Sequence, residues 1–372
     1  MRIGVITTSY PRWPGDPAGN FVGAHVAALR ALGHDVEVIC AAPDEPLFYR
    51  GGAPDLLERG GRWRAALAFT AQLTARVIRR AHHWDLAIAH WLAPSALAAI
   101  PTRVPLLAIG HGGDVHTLAR LHLLKPVIAL LRARGARLAF VSNELRALAG
   151  AGEALVQPMG IDVEHFARLT RRPTSPAMHL VLARLVPIKG VDVAIAAMRE
   201  VRGRLVIAGD GPERARLEAL AAGDPKISFA GEVDAARRDQ LLCEATTVVI
   251  PSRRLPNGRS EGTPVVVLEA LAARVPVIAS QVGGLRDLPV QEWVRPDDPH
   301  QLAVAIERAR LSDHFFPSMD QYAWPQVAQR LLTHATVRTR VTGFAPSGAR
   351  GRTTAPGSMA NVLQPGDGAR RK

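Results

Sequence analysis

Short apolar runs alternate with longer stretches of three/four spacing from the first residues onward. Residues 2–8 (RIGVITT) form an apolar run of strand length. A Pro- and Gly-rich stretch follows over 10–19. Beyond it Phe21, Val22, His25, Val26, Leu29 and Leu32 recur at helical spacing, which predicts a helix ended by Gly33. Residues 34–40 (HDVEVIC) predict the next strand. Such strand–loop–helix–strand units build parallel sheets.

The alternation continues with a helix over 64–81, strands over 84–90 and 105–110, and a helix over 118–134. Strands at 137–142 and 154–159 flank a short helix near Leu145. Residues 167–177 (ARLTRRPTSPA) are polar, carry two prolines and have no periodicity, so they read as a linker. The pattern then restarts. Strands are expected at 179–185, 204–210, 226–231, 246–252 and 275–280, and helices near 189–201, 212–222, 234–245, 264–273, 298–310 and 326–338. The expected fold is α/β, with parallel sheets in two domains, 1–168 and 177–338, facing each other across a cleft. The last helix is expected to pack back on the first domain. Ligands of such sheets bind at the carboxyl ends of the strands. Residues 341–372 are poor in large apolar groups and carry a net charge of +4, and are expected to be a disordered basic tail.

Composition narrows the functional classes. The 372 residues fit about two domains at roughly 150 residues each. With 48% apolar and 21% charged residues, a disordered chain or a collagen is excluded. Cys40 and Cys243 form no CxxC, so neither a zinc site nor a disulfide framework is indicated, and a reducing compartment is the default. No apolar run reaches the ~20 residues of a membrane span, and the N-terminus lacks signal-peptide anatomy. A cytoplasmic protein is therefore expected.

The net charge of +13 raises nucleic acid as a partner. Two features weigh against it. Only four of the 46 basic residues are Lys, which points to an arginine-rich coding bias, and aromatic residues for base stacking make up only 5%. No nucleic-acid partner is expected. Residues 51–137 carry 12 basic side chains against four acidic ones, and 62–80 mix basic and apolar faces. Two readings stand: contact with an anionic membrane, where each cation contributes ~1 kcal/mol, or a solvated arginine-rich helix.

The strongest chemical signal is SEGTPVVVLEALA, residues 260–272. Glu261 sits before a Gly262-Thr263-Pro264 turn, and Glu269, separated from it by seven residues, lies in the predicted helix, with Pro264 at its first position. Helix-end amides favour a diphosphate, and carboxylates suit sugar hydroxyls. Two solvated glutamates on an ordinary helix are the alternative.

The block VVIPSRRLPNGRSEGTPVVVLEALAARVPVIASQVGG resembles the donor-binding region of family 4 retaining glycosyltransferases, whose architecture is GT-B, two Rossmann-like domains. Five further blocks follow the family's order. They are the first strand, loop and helix with Gly19; IGHGGDVH with His111; FVSNELR with QPMGID; VLARLVPIKG with Arg184 and Lys189; and LVIAGDGPERARLEAL. The resemblance covers residues 1 to about 338. It implies that Gly19 approaches the donor diphosphate, that Arg184 and Lys189 neutralise it, and that Glu261 binds the sugar, Glu269 the ribose. Gly262, Thr263 and Pro264 belong to the same donor loop. It implies further that His111 orients the sugar. His116 reads as loop surface and Asp114 as loop structure.

The implied activity is metal-free transfer, with retention, from a UDP- or GDP-sugar. No cofactor is expected; the acceptor would be a glycan, a lipid-linked glycan or a lipid in cell-surface polysaccharide or glycolipid synthesis. Met159 replaces a common Asn, and GGLRDLPVQEW lacks the usual Glu after its glycine pair. Alternatives are a GT-B nucleotide-sugar epimerase, for which Asp85, Asp114 and Glu144 offer no clear carboxylate pair, a basic nucleic-acid-binding protein, and a non-catalytic member of the same fold.

Overall fold

The computed structural model describes residues 1–13, 16, 18–40 and 63–336. The expected basic tail and part of the Pro/Gly-rich loop lie outside these residues.

Among the described residues, twelve strands form two all-parallel sheets. The first holds β1 (Arg2–Ile6), β2 (Asp35–Ile39), β3 (Leu86–His90), β4 (Leu106–Gly110), β5 (Arg137–Phe140) and β6 (Leu155–Val156), in the order β2-β1-β3-β4-β5-β6. The second holds β7 (Met178–Leu182), β8 (Arg204–Ala208), β9 (Ile227–Gly231), β10 (Thr247–Ile250), β11 (Val277–Ser280) and β12 (Glu292–Val294), in the order β12-β11-β10-β7-β8-β9. Every residue of β3 and β4 is buried, as a parallel strand covered on both faces requires. The order reverses direction between β1 and β3 and again between β7 and β10. Loops leaving the carboxyl ends of adjacent strands part there and open a crevice.

The first helix, Asn20–Ala31, buries Val22, His25, Val26 and Leu29 and stops at Gly33, whose φ of 82° suits a glycine terminator. The last helix, Trp324–Thr336, buries Val327, Ala328, Leu331 and Leu332 in the core of the first sheet. Full burial of a Val or Leu side chain contributes ~1.5–3 kcal/mol, so this helix, which follows the second sheet in the chain, is fastened to the core of the first. Its entry is fixed by Trp324 N–H donating to Ile161 O at 3.2 Å.

Three expectations change. The single helix over 118–134 is two helices, Gly113–Arg120 and Leu124–Ala133, because His122 takes a left-handed φ of 57° between them. The strand over 154–159 shrinks to two residues, and β12 was not foreseen. No helix or strand forms between Ala167 and Met178. Arg172 N–H and Thr174 N–H nevertheless donate to Cys243 O and Glu244 O at 2.8 and 3.1 Å, which lays this segment along the second half.

Candidate active site

The β7/β10 crevice gathers the second half's charged groups. Gly190, directly after Lys189, packs so closely on Pro251 that a Cβ there would come 2.0 Å from Pro251 O, with φ +60° as a second reason for glycine. This locks the loop after β7 to the one after β10. Lys189 Nζ then lies 2.7 Å from Glu261 Oε1, and Ser252 Oγ donates to the same oxygen at 3.2 Å. The two charged side chains are only 21% and 10% exposed. Arg184 lies two residues beyond β7, with its side chain exposed.

On the first half, His111 follows β4 and His90 ends β3. His90 Nδ1 lies 3.0 Å from His111 Nε2, and His90 Nε2 lies 3.0 Å from His25 Nδ1. Three imidazoles therefore run from the interior to the crevice. His111 is further flanked by Phe21 and Trp91, at ring-centroid distances of 5.1 and 5.2 Å. Burial pushes His25 down to about 4 and His111 to about 3, with His25 adding to the latter effect. His90 is lowered too, by burial and then by its two neighbours. All three rings are neutral near pH 7.

Asp114 holds His111's backbone in place. Its carboxylate accepts from Leu92 N–H at 2.6 Å and from His111 N–H and Gly112 N–H at 3.1 Å each. Burial raises its pKa, and these amides oppose the rise. Asp114 and His116 both lie in the helix Gly113–Arg120, not on a surface loop. Asp114 is buried, and His116 Nε2 is buried without a partner among the described residues.

The 261–264 turn joins the halves. A Cβ on Gly262 would come 2.8 Å from His111 O, and one on Gly284 would come 1.9 Å from Gly262 O. Only glycines allow this approach of three backbones. Thr263 Oγ1 donates to Val141 O at 2.6 Å, so this hydroxyl is committed to the seam between the halves. Glu144 accepts from Ser260 Oγ at 2.6 Å and from Arg254 at 2.8 Å, and Asp287 accepts from Asn143 N–H at 2.6 Å and its side-chain amide at 2.9 Å. Pro264 is the residue before the helix Val265–Ala272, extended at ψ 117°, not its first position.

Glu269 stands apart from the Lys189–Glu261 pair. Its Oε1 lies 3.2 Å from Arg238, which also binds Asp239 at 2.8 Å. Burial raises the Glu269 pKa, while Arg238 lowers it. Glu269 and Arg238 line a cavity of about 810 Å³ together with Phe21, Val265 and Trp324. Gly19 has φ 62° and begins the first helix, and a Cβ would come 2.4 Å from Ser9 O. Among the described residues, no group of three or more His, Cys, Asp or Glu side chains is arranged to hold a metal ion.

Sequence reasoning brought out Lys189, Glu261, Gly262 and His111, and the structure brings these four to facing crevice walls. It missed His25, His90, Ser252 and the Glu144 and Asp287 contacts. The signal for His90 was present, as a polar residue closing a wholly apolar strand.

Known proteins place this geometry. Residues 18–165 match the family described as Glycosyltransferase Family 4, and residues 177–310 match Glycosyl transferases group 1. An uncharacterized glycosyltransferase of Methanocaldococcus jannaschii, MJ1607, is 34% identical over 176 residues, 42% of this chain and 43% of that protein, so the match spans less than half of it. The putative teichuronic acid biosynthesis glycosyltransferase TuaC of Bacillus subtilis is 27% identical over 83% of this chain and 89% of its own length. The fold matches that of Anabaena HepE, solved with UDP and glucose, at a TM-score of 0.63 and 20% identity, covering 90% of this chain and 97% of that one. Two Rossmann-like halves, with one family match on each, make this chain a member of the family 4 glycosyltransferases of GT-B fold.

Proposed function

We propose that the chain transfers a sugar, with retention and without a metal, from a UDP- or GDP-sugar to a glycan, lipid-linked glycan or lipid acceptor of cell-surface polysaccharide synthesis. The observation that carries this reading is the buried Lys189–Glu261 pair facing His111 across the turn at Gly262. In a nucleotide sugar the last phosphate and the sugar hydroxyls are near neighbours. A cation and a carboxylate 2.7 Å apart match that juxtaposition. UDP in the HepE structure and the teichuronic acid assignment of TuaC support the donor and acceptor classes.

Lys189 and Arg184 take up the negative charge that grows on the departing diphosphate, together with the amides that open the helix Val265–Ala272. Stabilising developing charge is usually the largest catalytic contribution. Glu261 holds the sugar hydroxyls, and Gly19 lets backbone approach the phosphates. Glu269 offers ribose its carboxylate while keeping Arg238. The acceptor enters from the first half. The helix Trp63–Ala81 exposes Leu67 and Ile78, with exposed Arg64 one turn before Leu67 and exposed Arg79 next to Ile78, which suits peripheral contact with an anionic membrane at the cytoplasmic surface. No helix among the described residues is long and apolar enough to cross a membrane.

The test is calorimetric titration with UDP, GDP and duplex DNA at two salt concentrations, on wild type, Lys189→Ala and Glu269→Ala. Tight binding of one nucleotide that both variants weaken supports the reading. Salt-steep DNA binding without nucleotide binding overturns it. With the donor known, the product's anomeric configuration by NMR tests retention, and turnover in chelator tests metal independence. Flotation with anionic vesicles tests the membrane contact.

A further inference from the structure

The three-histidine chain makes more contacts than a sugar-binding His111 requires. A neutral imidazole carries one N–H and one bare nitrogen. Three neutral rings therefore hold three protons. Two of these fill the two 3.0 Å gaps, His25 to His90 and His90 to His111. The third sits at one end of the chain, on His25 Nε2 or on His111 Nδ1.

The ends differ. His25 is fully buried, its ring stacks on Trp324 at 5.7 Å, and its Nε2 has no partner among the described residues. A proton there would be an orphaned buried donor, which proteins tolerate less readily than an unused acceptor. His111 is half-buried at the crevice, with Nε2 already engaged by His90. The third proton therefore belongs on His111 Nδ1. Each ring then donates outward from Nδ1, and every Nε2 is bare. The lowered pKa values of all three rings agree with a neutral chain.

We propose that His25 and His90 are positioning residues that fix His111 in the Nδ1-protonated form, so that it presents a hydrogen-bond donor, and not a base, to an oxygen of the bound sugar nucleotide. The sugar-nucleotide part rests on the function proposed above; the proton assignment does not. Without the chain, His111 could rotate or adopt the Nε2–H form that predominates in free imidazole side chains.

Long-range proton–nitrogen NMR of the ¹⁵N-labelled full chain near pH 7.5 reads the assignment directly. All three rings are expected to carry the proton on Nδ1. Steady-state kinetics then separate positioning from bulk structure. His90→Leu removes the donor to His111 Nε2 and is expected to lower kcat about tenfold, with the donor KM within about twofold. His90→Asn keeps an N–H near the Nδ1 position and is expected to recover most of kcat. A wild-type spectrum with His111 protonated on Nε2 overturns the proposal, as does a kcat unchanged in His90→Leu. Should His90→Leu fail to fold, the wild-type spectrum and His90→Asn decide. The expected spectrum in a chain that turns over no nucleotide sugar would sink the enzymatic reading alone. The opposite spectrum in an active enzyme would sink only this inference.

Discussion

Glu261→Gln separates two roles that the Lys189–Glu261 pair combines. The substitution preserves shape and keeps an oxygen for Ser252 Oγ, now at 3.2 Å, while removing the charge 2.7 Å from Lys189. In the wild type an arriving diphosphate must share Lys189 with a carboxylate already in place. A carboxylate and a phosphate about 5 Å apart repel by ~3 kcal/mol at an effective dielectric constant of ~20. Relief of even half of that is about 1.4 kcal/mol, or tenfold in Kd. The nucleoside diphosphate alone, UDP or GDP, should therefore bind Glu261→Gln at least about tenfold more tightly.

The complete nucleotide sugar should behave differently. Hydrogen bonds from sugar hydroxyls to a charged carboxylate contribute about 1.5–3 kcal/mol, and the amide loses most of this. The extra affinity that the sugar confers over the bare diphosphate should fall about tenfold or more. Turnover should fall by roughly 10²–10³-fold, the scale on which single electrostatic contributions act. Calorimetry with the diphosphate and with the nucleotide sugar, on both proteins, measures the ratio without reference to the acceptor. Unchanged or weaker diphosphate binding in Glu261→Gln would refute the reasoning, since Glu261 would then not compete for Lys189.

Three further outcomes follow from the same contacts. Asp287→Ala removes both bonds from Asn143 and should weaken closure of the halves by about 1–2 kcal/mol; small-angle scattering should show a larger radius of gyration without nucleotide, reversed at saturating nucleotide. Gly284→Ala places a Cβ where Gly262 O now lies 1.9 Å away, so the 261–264 turn must move, and kcat should fall about 10²-fold while the fold persists by circular dichroism. Acid should destabilise the fold through His25. Its folded pKa of about 4 lies below the ordinary 6.5, so the unfolded chain takes the proton first. That contribution is complete above pH 6.5 and is lost as pH falls toward 4, at ~1.4 kcal/mol per pH unit. Urea titrations between pH 7 and 4 read the slope, and His25→Phe should lessen it without abolishing it, because burial also lowers His90 and His111.

The elements that were legible in the sequence are those in which one local pattern fixes one structure. LAIAH and LLAIG are buried on both faces, so continuous apolar runs mark β3 and β4 without knowledge of their neighbours. The break at His122 was not legible, because a left-handed residue between two helices leaves the three/four spacing nearly intact on either side. Neither was β12, whose three residues at the sheet's edge carry too short a pattern. The site divides in the same way. Glu261 and Lys189 each stood out in their own segment, but their 2.7 Å pairing depends on β7 and β10 being neighbours, which is a property of strand order and not of any window of sequence. His25 was counted among the apolar positions of its helix, where its burial was read correctly and its chemistry was not. His90 and His111 end adjacent strands, β3 and β4, and His25 meets them from the helix laid across the first switch point. Each cluster thus gathers where loops leave neighbouring carboxyl ends, one per sheet. The 261–264 turn touches both, with Glu261 in one cluster and Gly262 against His111 in the other. That is why a displacement of this turn should cost catalysis far more than it costs folding.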